Sequence, residues 1–363
     1  MDDDEQDPDL PPGMRGIDHA TYLRLRDEYI ALRRGIELDR PFDPGARGRA
    51  IERMRDQEIE ASGENSFFGS IADFLGLDLN AGGTWTAIGP APLPGTFSGR
   101  VTSVVVDPTN PNIVYLGAAQ GGVWRSLDGG GTWAPIFDNA QSLAIGALAL
   151  APSDHTVLYV GTGEFNGCGS CFFGAGLYRI DNADTSATLV GPINPSQTIG
   201  NLTYNIFSGR SISKILVHPT NPGTIFVSTG SGVGGSGGNA LGGIPPMGTR
   251  GVYRSVNATA AAASVTFQKL VVNTDNSFDS PATGNVTISD MVMEPGNPNN
   301  LLVGVIGQAQ SGGIYRSTNA LSVTPTFTQA QSLAAGLRVT LAINNVGGTV
   351  TAYAGTSETP TNT

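Results

Sequence analysis

Three arginines stand in similar settings just ahead of apolar runs: Arg100 after Ser98-Gly99, Arg210 after Ser208-Gly209 and Arg338 after Gly336-Leu337. A guanidinium holds a carboxylate through two parallel N–H···O bonds, so three brought to one place would form an anion site. Each is equally able to pair with a local acid or to face solvent. Glu164, flanked by glycine in Gly161-Thr162-Gly163-Glu164-Phe165-Asn166, is the first acid to weigh; Asp290, in Ile288-Ser289-Asp290-Met291, is the second. Hydrolysis of a glycosidic bond needs two carboxyl groups about 5 to 9.5 Å apart. The sequence does not place Glu164 and Asp290 together, so a turn-stabilising or ligand-contacting Glu164 stands beside the acid–base reading.

Other chemistries find less support. His19, His155 and His218 are too few and too scattered to make a zinc site, and no metal or cofactor is expected. Cys168 and Cys171 sit in Gly167-Cys168-Gly169-Ser170-Cys171, where they could close a tight disulfide or remain thiols. The stretch Gly230 to Gly243 lacks the Lys-Ser/Thr ending of a phosphate-binding loop and reads as a blade insertion. A formal net charge of −11, with Lys214 and Lys269 as the only lysines, argues against nucleic acid as a partner. No run reaches the roughly 18 to 20 apolar residues of a membrane span, and nothing after Met1 resembles a signal peptide.

The elements that must position these residues recur along the chain. With 50 glycines, 23 prolines and 14% charged residues, the composition favours many short strands joined by tight turns. First strands are predicted at Val101 to Val106, Ile145 to Leu150, Ile212 to Val217 and Ile288 to Met293. They end in the turns Asp107-Pro108, Ala151-Pro152, His218-Pro219 and Glu294-Pro295. Second strands follow at Ile113 to Gly117, Val157 to Gly161, Ile225 to Ser228 and Leu301 to Gly304. Third strands repeat as Val123-Trp124-Arg125-Ser126, Leu177-Tyr178-Arg179-Ile180, Val252-Tyr253-Arg254-Ser255 and Ile314-Tyr315-Arg316-Ser317. Weaker fourth strands fall at Trp133 to Phe137, Thr188 to Val190, Thr266 to Leu270 and Thr326 to Thr328. Four strands per unit, at a spacing of roughly 45 to 75 residues, is the pattern of a β-propeller blade with loop insertions.

The segment Ser126-Leu127-Asp128-Gly129-Gly130-Gly131-Thr132-Trp133 resembles the Asp-box, Ser-x-Asp-x-Gly-x-Thr-Trp, of sialidase-like, sortilin-like and xyloglucanase-type propellers. Ser126, Asp128, Gly130, Thr132 and Trp133 carry the match, and their role is structural: short polar side chains bond backbone groups and glycines supply turn conformations. Later copies, Ile180-Asp181-Asn182-Ala183, Ser255-Val256-Asn257-Ala258 and Ser317-Thr318-Asn319-Ala320, keep the Asn and lose the Trp. The resemblance implies an exported propeller that binds glycan or protein, and in some families one that hydrolyses glycosidic bonds. Sialidase-like enzymes hold their substrate's carboxylate with clustered arginines, but the Phe/Tyr-Arg-Ile-Pro segment of that family is absent here.

The expected organisation is an acidic disordered tail over 1–18, a helical leader over 19–62, a linker over 63–80 and an all-β propeller of four-stranded antiparallel blades over 81–363. Gly83 to Ile88 resembles an outer strand, while Val339 to Ile343 and Thr349 to Gly355 resemble first and second strands. The last blade would draw on both ends of the chain, or the propeller would be truncated at its C-terminal side. The leading functional expectation is an extracellular or periplasmic non-catalytic module binding glycan or protein through its loop face. A glycoside hydrolase at the axial cleft is the first alternative. A subunit of a surface assembly, joined through the N-terminal helices, is the second.

Overall fold

The computed structural model describes residues 49–50, 52–53, 56–57, 99–165, 172–199, 202–232, 248–273, 286–307, 311–334 and 336–356. The acidic tail, the first leader helix, the linker, Gly83 to Ile88 and the Cys168/Cys171 loop lie outside the described residues. Of the second helix, Arg49, Ala50, Glu52, Arg53, Asp56 and Gln57 are helical and exposed.

Four sheets of four antiparallel strands, each a simple meander, follow one another along the chain. Blade 1 is β1 (Val101–Val106), β2 (Val114–Ala118), β3 (Gly122–Ser126) and β4 (Ala134–Pro135). Blade 2 is β5 (Ile145–Ala151), β6 (Asp154–Thr162), β7 (Leu177–Asp181) and β8 (Thr188–Ile193). A hairpin of β9 (Ser196–Ile199) and β10 (Leu202–Asn205) separates it from blade 3 and has no counterpart in the other repeats among the described residues. Blade 3 is β11 (Arg210–His218), β12 (Asn221–Gly232), β13 (Gly251–Ser255) and β14 (Gln268–Leu270). Blade 4 is β15 (Thr287–Glu294), β16 (Asn297–Ile306), β17 (Gly313–Ser317) and β18 (Thr328–Ser332). A last hairpin, β19 (Val339–Val346) with β20 (Thr349–Thr356), packs on β15. Gly230, which opens the expected insertion, belongs instead to β12.

The inner strands β1, β5, β11, β15 and β19 pack against one another in turn, which makes the architecture an all-β propeller. Apolar residues alternate toward the two neighbours, so each central strand is buried on both faces. Leu158 and Val160 of β6 join Tyr115, Val123 and Ile145 between blades 1 and 2. Tyr159, between them in sequence, points the other way and joins Ile212, Ile225 and Val227 between blades 2 and 3. Phe226 then turns to Ile288, Leu301 and Val303 between blades 3 and 4. Where blade 2 meets blade 3 the backbones come so close that a Cβ on Gly146 would lie 2.1 Å from the Ile212 carbonyl oxygen.

Two polar devices recur along the blades. In the turn after β3, the Ser126 hydroxyl donates to Asp128 at 2.7 Å and accepts from the Gly130 amide at 2.8 Å, while Asp128 accepts from the Thr132 amide and hydroxyl at 2.8 and 2.7 Å. The same network recurs where the spacing has stretched. Asn257 accepts from the Thr266 amide at 3.0 Å, and Asn319 from the Thr326 amide at 2.9 Å, each beside the hydroxyl of Ser255 or Ser317. The second device is the third-strand arginine, which reaches into the turn of the following blade. Arg125 donates to the carbonyls of Ala183 (2.9 Å) and Thr185 (2.5 Å), Arg179 to those of Ala258 (2.7 Å) and Ala260 (2.8 Å), and Arg254 to those of Ala320 (2.6 Å) and Ser322 (2.7 Å).

Arg254→Ala is therefore expected to lower unfolding stability by about 3 kcal/mol, because it strands two turn carbonyls at a blade interface. The repeat-equivalent Arg316→Ala, at an exposed position, should change it by under about 0.5 kcal/mol in the same urea titration. Hydrogen bonds from the Thr132 amide and from the Ser126 and Thr132 hydroxyls hold the Asp128 carboxyl down at about 2, against 3.8 for the free group. Since the folded value is the lower one, the turn's contribution is complete above pH 3.8 and is lost as pH falls toward 2. Asp128→Asn should flatten that part of the Tm-against-pH curve.

Candidate functional site

The inner strands line the axis, and short polar side chains stitch them together. Ser103 accepts from the Leu148 amide at 3.2 Å, Ser213 donates to the Ile288 carbonyl at 2.6 Å, and Ser289 accepts from the Val339 amide at 3.2 Å. Asp290 belongs to this stitching. One carboxylate oxygen accepts from the Leu341 amide of the next inner strand at 2.8 Å, and the other accepts from its neighbour Met291 at 2.8 Å and pairs with Lys214 of blade 3 at 3.2 Å. A carboxylate engaged on both oxygens by amides and an ammonium joins blades 3, 4 and the last hairpin, and is poorly placed to move a proton.

At the strand ends, the glycine turn after β6 carries Glu164 and Phe165 over the axis. The Gly163 amide donates to the Ala144 carbonyl at 2.7 Å, and the Glu164 amide to the Phe172 carbonyl at 2.8 Å. Glu164 lies wholly inside the protein, its side chain 0% exposed, and its carboxylate meets the guanidinium of Arg100 from blade 1. Phe165 extends further. It lies against Gly230 of blade 3, where any side chain would collide with the ring, and Arg338, at the entrance to β19, stands 5.3 Å above its centroid.

Of the three arginines singled out from the sequence, the structure turns two outward and one inward. Arg100 and Arg338 are exposed at the mouth formed around Glu164 and Phe165. Arg210 is 3% exposed, and its Nε donates to the Gly248 carbonyl at 2.5 Å, so a ring of three equivalent solvent-facing cations does not form. The carboxylate of Glu164 faces Arg100 and is closed to solvent. Sequence reasoning did not single out Phe165, whose partners come from blade 3 and from the entrance to the last hairpin and leave no local signal. The inter-blade arginines were visible as a recurring third-strand residue, but their partners were not. Cys168 and Cys171 lie in the undescribed part of the loop between Phe165 and Phe172.

No protein-family model matches the chain, and no curated protein matches it. Among solved structures, it resembles a GH74 xyloglucanase from Xanthomonas campestris at 18% identity, covering 68% of this chain and 32% of that one, with a TM-score of 0.43. An ancestral GH74 enzyme matches at 21% identity over 64% of this chain and 24% of that one, TM-score 0.42. An auxiliary nutrient binding protein from Bacteroides thetaiotaomicron matches at 13% identity over 69% and 49% of the two chains, TM-score 0.36. The chain thus spans a quarter to a third of the length of these GH74 enzymes. The similarity is one of general shape and assigns neither activity nor ligand.

The half-buried pair of Arg100 and Glu164 makes an asymmetric prediction. Arg100→Ala leaves the enclosed Glu164 carboxylate without its guanidinium and should cost about 2 kcal/mol, whereas Glu164→Gln leaves only a half-exposed arginine and should cost well under half as much. Chemical denaturation of the two variants measures the difference.

Proposed function

We propose that the protein is a non-catalytic recognition module that binds a carboxylate-bearing glycan or protein segment at the axial mouth. One observation carries the reading. The two acids singled out for hydrolysis are both committed, Glu164 to Arg100 and Asp290 to Lys214 and the inter-strand amides, while exposed Arg338 stands over the Phe165 ring and the Arg100 side chain is half-exposed. A mouth with outward cations around a fixed aromatic floor suits an anion presented on an apolar frame. Among the described residues it offers no pair of carboxyl groups facing a shared space, as glycosidic cleavage would need. On this reading Arg338 and Arg100 contact the ligand, Glu164 orients Arg100, and Arg210 supports the mouth from inside. The Ser126–Trp133 turn and its Asn-bearing copies are Asp-boxes in this reading, consistent with an exported propeller placed outside the cell or in the periplasm.

A second reading, a subunit of a larger assembly, is favoured by a separate observation. β20 is exposed along nearly its whole length, with Tyr353 71% and Val350 39% exposed. An uncovered strand of this kind is a ready surface for another chain.

The test is a glycan array that contrasts acidic with neutral sugars, followed by mass spectrometry of any bound material. Binding without cleavage is expected, weakened about tenfold by Arg338→Ala and by raised salt. Cleavage products that vanish in Glu164→Gln would overturn the reading and make the protein a glycosidase.

A further inference from the structure

The apolar contact between neighbouring blades repeats with fixed positions. An aromatic residue of the second strand points forward and packs with two apolar residues on the inner strand of the next blade. Tyr115 shares a buried cluster with Ile145 and Leu148, Tyr159 with Ile212 and Ile215, and Phe226 with Ile288 and Met291. None of these side chains is more than 7% exposed. Two halves of the same contact stand open elsewhere. On blade 1, Val101 and Val104 hold the places of the receiving pair and are 46 and 55% exposed, with Val106 beside them at 48%. On the last hairpin, Tyr353 holds the forward place. It lies opposite Ala342, next after Leu341, as Tyr115 lies opposite Val105, next after Val104, and Tyr159 opposite Ala149, next after Leu148. Tyr353 is nevertheless 71% exposed, and Val346, on the same face of the hairpin, is 70% exposed.

We propose that these two halves meet between chains, with Tyr353 of one copy docking on Val101 and Val104 of a second copy, head to tail. Each half is an apolar surface in water, and the complement of each is carried by the same chain. Within one molecule they stay apart: β1 packs on β2 and β5, β20 packs on β19, and both halves are exposed. The match extends to a polar group. The Tyr159 hydroxyl donates at 2.7 Å to the Pro222 carbonyl, in the turn that follows the inner strand of the next blade. Blade 1 carries the same turn as Asp107-Pro108-Thr109-Asn110-Pro111, so a Tyr353 seated on Val101 and Val104 finds the Pro111 carbonyl in the corresponding place. Such an interface joins two different surfaces and leaves one open half at each end of a pair, so further copies add in the same way. The inference rests on the assembly reading above and names its partner as a second copy of this chain.

Sedimentation velocity of the full chain is expected to show a mean mass that rises between about 1 and about 100 µM. Val104→Asp and Tyr353→Asp each spoil one half of the contact. Both positions are exposed, so each variant should unfold at a Tm near that of the parent. Each alone should sediment as a monomer, because every contact needs one intact half of either kind. Mixed in equal amounts, the two should form a dimer and nothing larger, since the intact Tyr353 of one finds the intact Val104 of the other. Self-association that survives Val104→Asp but is lost in Tyr353→Asp overturns the proposal and leaves the assembly reading standing, because β20 would then be pairing with another β20. A parent that stays monomeric at about 100 µM, or a mixture of variants that fails to recombine, overturns it as well.

Discussion

A guanidinium laid across two backbone carbonyls of the neighbouring blade is the contact on which the radial stacking depends. Apolar surface drives adjacent sheets together but does not fix their mutual angle, because hydrophobic contact has no direction. Arg125, Arg179 and Arg254 supply the direction. Each leaves the third strand of its own sheet and ends on residues i and i+2 of the turn in the next. Those carbonyls belong to a turn that is already determined from within, since the amides of Ala183, Ala258 and Ala320 donate at 2.9 to 3.0 Å to the start of their own second strand. Local turn and distant arginine therefore specify the same backbone, which is the agreement between levels that a well-defined native state requires.

The strands were legible because two independent signals coincide in them. Alternating apolar residues gave their period, and the repeated turns gave their ends. Even the substitution of Asn for Asp proved readable, since Asn257 and Asn319 accept the same threonine amide that Asp128 does, with more chain looped between them. The β9–β10 hairpin was passed over because it lies outside the repeat, although Ile199-Gly200-Asn201-Leu202 carries an ordinary strand–turn–strand signature. Blade 2 departs furthest. Its turn lacks the serine, Asn182 adopts a left-handed φ of 52°, and Asp181 is drawn instead to Arg179 at 2.7 Å.

The charged residues of the axis were legible as types and not as partners. Arg100, Arg210 and Arg338 look alike in sequence, and what separates them is contact across 38 residues or more: Arg210 finds the Gly248 carbonyl, Arg100 finds Glu164, and Arg338 finds the ring of Phe165. No local spacing records such distances. Asp290 shows the same limit: the sequence offers it as a second carboxyl beside Glu164, and its two oxygens serve the packing of three successive inner strands. Along the axial wall the polar groups serve cohesion between the inner strands.

The inter-blade arginine has a further consequence for how such a protein can change over time. Blades 2 and 3 each carry one arginine that reaches forward and one turn that receives the arginine behind it, so their requirements toward both neighbours are met by a single standard fitting. A duplicated unit spliced into the series would find its arginine and its turn already matched to what lies on either side, provided it entered in the same orientation. The number of blades is then a quantity that gene duplication can alter by whole units without redesigning any interface. The decay of individual turns, as in blade 2, is tolerated as long as the two carbonyls stay where the preceding arginine expects them.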